Sequence, residues 1–237
     1  MEYVDHSFQV GNRAAERLSR VPAVLSRWSL EKKMVRILIA GVLGGAVYYV
    51  WGMMVWMVIP LHAPTVNQFP NEDAVIEVLT AQNLETGVYS APGFADESDM
   101  SNPDSEFNKK HAKGPIFSVY YHADGSPPMP PMPTSMLLNG FLINFLAAAI
   151  AACLLSTVAG GCCGSYLNRV GFVTGLGVFV ALIGHLSYWN WMYFPLDYTL
   201  GFVVDVVVGW SLAGLIMAAV VRPEACAAKG DSKDAAG

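Results

Sequence analysis

His185-Leu-Ser-Tyr-Trp-Asn-Trp-Met-Tyr-Phe-Pro-Leu-Asp-Tyr198 sits where two long apolar runs meet, Val170 to Trp189 before the turn and Leu200 to Val221 after it. A helix rises about 1.5 Å per residue, so roughly 20 apolar residues cross a hydrocarbon core about 30 Å thick. Each run is long enough. Tyrosine and tryptophan prefer the boundary between lipid and water, where a ring is buried and its polar edge is wet. The stretch therefore predicts a membrane hairpin turning at the interface. Each arm carries one ionisable residue, His185 on the first and Asp205 on the second.

Two further runs match, Ile37 to Ile59 and Met136 to Ala159, and no other ionisable residue falls inside any of the four. The chain has 237 residues, of which 14% are charged, against about 25% in a soluble domain. Charge has been withdrawn from long blocks, as a bilayer demands. The fold class expected is mainly α and integral to the membrane: a four-transmembrane-helix bundle with a small extracytoplasmic α+β insert between helices 1 and 2. The boundaries read as a basic segment 1–34, helices at 35–60, 136–160, 170–192 and 199–221, an insert 61–135, short turns 161–169 and 193–198, and a tail 222–237.

Positive charge is retained on the cytoplasmic side. Arg13, Arg17, Arg20, Arg27, Lys32, Lys33 and Arg36 precede the first helix, Arg169 lies in the 161–169 turn, and Arg222, Lys229 and Lys233 lie in the tail. The opposite side has only Lys109, Lys110 and Lys113. This predicts a multi-pass plasma (inner) membrane protein with both termini cytoplasmic and residues 61–135 outside. The first run follows 34 residues and no small-residue cleavage site succeeds it, so it is expected to remain as an anchor. Residues 1–34 alternate basic and apolar positions, which suits a helix lying on the inner membrane surface or a solvated tail with topogenic charge.

Within the insert, Asn71 can cap a helix over 72–85 that carries Glu72 and Asp73 in its first turn. Strands are expected near 88–90 and 116–122, the second ended by Asp124-Gly125. Residues 94–114 are polar and acidic and are expected to be mobile. The Ser126-Pro-Pro-Met-Pro-Pro-Met-Pro133 run reads as a stiff spacer leading to the second helix. The insert has no cysteine, and Cys162-Cys163 read as two reduced thiols at a helix end.

Residues spaced i, i+4 and i+8 share a helix face. His185 falls beside Gly177, Ala181 and Gly184, and Asp205 beside Gly201, Gly209 and Ala213. Small residues mark the face that packs on other helices, so both ionisable groups are expected to point inward. Each lies seven positions below the turn, about 10 Å, and Asn144 lies eight below Met136, about 12 Å. Asn144, His185 and Asp205 are thus predicted to form one buried polar layer, with Asp205 bonded to the His185 imidazole. An unpaired charge in hydrocarbon costs several kcal/mol, so such a layer is either an ion pathway or interhelical glue.

Soft thioethers select copper(I), and His62, His122, Met129, Met132 and Met136 make a possible outward metal set. Three methionines are also ordinary gap fillers in an apolar protein. Neither a metalloprotease HExxH nor a GxSxG nucleophile elbow is present, and no cofactor is expected. The function expected is a non-enzymatic accessory or interaction subunit of a membrane complex. The alternatives are a small proton-linked transporter using Asn144, His185 and Asp205, and a copper-binding or sensing protein. The partners expected are the lipid bilayer and another membrane protein or a second copy, with no nucleic acid.

Overall fold

The structure is a computed structural model describing residues 6–93, 96–126, 131–159 and 164–222, with side chains from residue 30 onward. It is mostly helical, and four helices are long and apolar enough to cross a membrane: Leu30–Met57, Thr134–Val158, Tyr166–Met192 and Leu196–Val220. The first is the end of α1 (His6–Met57), which stops where the amides of Val58 and Ile59 both bond to the Met54 carbonyl ahead of Pro60. The second is α5 (Thr134–Val158). The third consists of α6 (Tyr166–Val180), a π segment (Ala181–Leu186) and α7 (Ser187–Met192). Tyr193 then takes a left-handed conformation, φ 57°, and its amide closes on the Tyr188 carbonyl. Pro195 follows, and α8 (Leu196–Val220) begins with Asp197 in its first turn, where the helix dipole favours an acid.

The chain divides into two compact units. One comprises Met1–Trp51, Gly140–Gly177 and Val208–Gly237. Its helices meet at glycines, because a missing side chain lets backbones approach. A Cβ on Gly41 would lie 3.0 Å from the Ala149 backbone, and one on Gly45 would lie 2.8 Å from that of Phe145. On α8, a Cβ on Gly209 would reach the Tyr48 and Trp51 rings at 2.7 Å. Ala148, Ala152, Leu155, Val173, Ala213 and Met217 are buried around these approaches. Arg169 is buried too, donating to the carbonyls of Ala218 and Gly164. That places a cation against the last-turn carbonyls of α8, which lack helical partners.

The other unit comprises Gly52–Asn139 and Val178–Val207. It holds a 3₁₀ turn (Ala63–Thr65), α2 (Glu72–Thr80), β1 (Gly87–Ala91), α3 (Glu97–Ser101), α4 (Glu106–Lys113) and β2 (Phe117–Tyr121). The strands pair antiparallel, Gly87 opposite Tyr121 and Ala91 opposite Phe117. The Asn71 side chain accepts from the Ala74 amide, capping α2. That helix ends at Thr80 rather than at 85, because Asn83 adopts φ 51° and turns the chain before Gly87 is reached.

The stretch 94–114, expected to be mobile, carries α3 and α4. Asp96 accepts from the amides of Ser98 and Asp99, and Ser105 accepts from that of Asn108. Ser105 also donates to the Asp99 carbonyl and Asn108 to that of Asn102, tying the two short helices together. Composition favours disorder there, and local caps override it. The Cys162-Cys163 pair and residues 127–130 of the proline-rich spacer, Met129 among them, lie outside the described residues, as do the side chains of residues 1–29.

Candidate functional site

Immediately after α1 the chain bends at Pro60, and the 3₁₀ turn fixes the backbone of the residue before it. The Thr65 amide and hydroxyl both donate to the His62 carbonyl, at 3.0 and 2.9 Å. Held this way, the His62 ring is 1% exposed. It stacks on Trp56, centroids 4.3 Å apart and planes 14° apart, and leans on Phe202 at 4.7 Å. Gly201 lies beside it, where a Cβ would make ordinary contact with Nδ1 at 3.6 Å.

The ring's Nε2 lies 3.0 Å from Oδ2 of Asp205, and both residues are buried. Asp205 is therefore hydrogen-bonded to His62, a residue the sequence places at the outer surface and in the candidate metal set, whereas His185 is the expected partner. His185 lies within electrostatic reach of Asp205, while its half-buried ring stacks on Phe202, 5.2 Å away and 24° from parallel. Phe202 thus separates two imidazoles, touching His62 on one side and His185 on the other. Asn144 belongs to the other unit, half-buried on α5.

Chemically, the His62–Asp205 pair is a site for one proton in apolar surroundings. With carboxylate and neutral imidazole it carries one negative charge; one added proton makes it neutral, as carboxylate and imidazolium or as acid and imidazole. In either neutral form Nδ1 carries a hydrogen, and that atom is buried without a hydrogen-bond partner among the described residues. An unsatisfied buried donor costs about 1–3 kcal/mol. The orphaned Nδ1 is therefore the weak point of the pair.

Of the candidate metal set, His62 is engaged with Asp205 and covered by Trp56, His122 is exposed after β2, and Met136 is exposed in the first turn of α5. No group of three His, Cys, Asp or Glu able to hold a metal occurs among the described residues.

His62 carries a weak sequence signal. It lies two residues past the proline that ends an apolar run, where an outward-facing loop is the usual reading. Its neighbours Phe202 and Asp205 lie 140 and 143 positions later, which no local pattern reveals. Compared with protein-family profiles, curated proteins and solved structures, the chain matches none of them.

Proposed function

We propose that this chain is a small multi-pass membrane protein with a proton-linked carrier role, in which the His62–Asp205 pair loads and releases a proton. The carrying observation is the buried 3.0 Å contact between Nε2 and Oδ2, together with the unpartnered Nδ1. Intramembrane ionisable groups commonly mark ion pathways, and histidine exchanges protons near neutral pH. His185, across Phe202, is the next protonatable group along the same helices. The membrane setting draws support from the large apolar side chains the long helices leave uncovered, such as Leu138, Ile150, Leu167 and Phe179. By its lysine and arginine distribution the protein lies in the plasma membrane with both termini cytoplasmic and residues 61–135 outside.

Proton flux in proteoliposomes tests the proposal. Wild-type protein collapses an imposed pH gradient faster than empty vesicles, and Asp205→Asn, which removes the exchangeable carboxyl, does not. Equal leakage by the two proteins ends the carrier reading.

A second reading, a non-enzymatic accessory subunit of a membrane complex, is favoured by α6. A Cβ on Gly171 or Gly175 would meet nothing within 4 Å, and Leu167 on the same helix is 74% exposed. On this reading the histidine–aspartate pair is a clasp that holds the chain after α1 onto α8, and flux is absent from every variant.

A further inference from the structure

Beside the proton site, His185 faces a cavity of about 280 Å³ whose walls include Gly184, Tyr188, Phe194, Tyr198 and Phe202. We propose that this cavity binds a neutral, planar, lipid-soluble carbonyl compound of the quinone class. The volume lies near the lower end of small-molecule sites, roughly 300–1,000 Å³.

The walls select the shape of the ligand. Tyr188 stacks on Phe194 at 5.3 Å, Phe194 meets Tyr198 at 5.9 Å, Tyr198 meets Phe202 at 4.9 Å, and Phe202 stacks on His185. A continuous row of ring faces and edges rewards another flat π system over a branched aliphatic one. No Lys, Arg, Asp or Glu lines the cavity, so a charged ligand would enter without a counter-charge, and a neutral one is favoured.

His185 selects the functional group. Its ring touches Phe202 but makes no hydrogen bond among the described residues. A ring N–H beside an apolar cavity calls for an acceptor, and a carbonyl oxygen on a flat ring supplies one. The backbone here is a π segment, Ala181–Leu186, a geometry found frequently at functional sites. Gly184 leaves the wall open beside His185, since a Cβ there would meet only a Val180 methyl at 3.8 Å. A second cavity, of about 500 Å³, shares Tyr120, Phe194 and Tyr198 with the first and offers room for a substituent or tail. The proposal goes beyond proton carriage and does not require it, because binding can occur with or without a gradient.

The test uses the full chain in lipid nanodiscs, with menadione as the probe and empty nanodiscs to subtract partitioning into lipid. The expected result is saturable binding, about tenfold weaker for methylnaphthalene, which has the same rings without carbonyls. Gly184→Leu, whose Cβ has ordinary contact with the Val180 methyl and whose larger end occupies the cavity, should abolish saturable binding while the protein stays monodisperse. His185→Gln keeps a donor and stays within a few-fold of wild type, whereas His185→Leu weakens menadione about tenfold. The proposal is overturned if menadione shows no saturable binding above empty discs, if methylnaphthalene binds equally well, or if monodisperse Gly184→Leu binds like wild type. Proton flux is absent from these measurements, so failure of the carrier reading leaves them unaffected.

Discussion

His62 and Asp205, 143 positions apart, meet at 3.0 Å inside the unit formed by Gly52–Asn139 and Val178–Val207. Removing one member of a buried pair leaves the other without compensation, at a cost of roughly 3–5 kcal/mol. His62→Ala should sit at the lower end, about 3 kcal/mol, because Asp205 keeps a further interaction of its own. Asp205→Asn keeps an acceptor for Nε2–H and should cost only about 1 kcal/mol. Equilibrium unfolding in mixed micelles measures both. If Asp205→Asn proves as damaging as His62→Ala, the contact is held by charge rather than by hydrogen-bond geometry.

Gly45 and Gly175 look alike in sequence, each a small residue in an apolar helix, yet they should respond oppositely to alanine. At Gly45 the new methyl would lie 2.8 Å from the Phe145 backbone, which must move. Overpacking of that kind costs about 1–3 kcal/mol. At Gly175 there is nothing within 4 Å, so alanine should be neutral or stabilise by up to about 1 kcal/mol through helix propensity. The same unfolding assay compares them, and equal losses would mean that Gly175 is covered by another helix in the assembled protein.

Asp96 gives a pH dependence outside the long helices. The Ser98 hydroxyl, then the amides of Asp99 and Ser98, bond its carboxylate and hold its pKa below the ordinary 3.8. A depressed carboxyl pKa means the folded form is favoured above 3.8, and that contribution disappears as pH falls through the lower folded value. Amide exchange at Ser98 and Asp99 should therefore accelerate only on acidification below 3.8. Asp96→Asn should flatten this dependence. Unchanged acid sensitivity in that variant would show that another carboxylate controls α3.

Four apolar runs were legible because charge-free length is a local property, and the strands at 87–91 and 117–121 because β-branched and aromatic residues cluster there. The small-residue face expected on α8 is realised at Gly209, where a Cβ would lie 2.7 Å from the Tyr48 and Trp51 rings and spacing along one helix was enough to reveal it. The partner of Asp205 was not legible. Helical periodicity matches residues on regular helices, so it offered His185, while His62 sits in a 3₁₀-flanked turn that no period describes. The π segment at Ala181–Leu186 adds to this, because it interrupts the i+4 spacing from which the His185 face is read. In 97–113, overall polarity outweighed two caps that only single residues announce, Asp96 and Ser105.

Orientation can be tested with cysteine chemistry, because the insert contains no cysteine of its own. Asp104 lies in an exposed turn between α3 and α4, so Asp104→Cys should perturb little, within about 0.5 kcal/mol for a surface change. If residues 61–135 face outward, a membrane-impermeant maleimide should label this variant in intact cells. The wild-type chain should stay unlabelled there, since Cys153 lies within α5 and the remaining cysteines lie toward the predicted cytoplasmic side. The excess of basic residues around the helix ends is the ground for expecting this outcome, since positive charge is retained on the cytoplasmic side. Labelling only after the cells are opened would invert the orientation and put His62, two residues beyond Pro60, toward the cytoplasmic side.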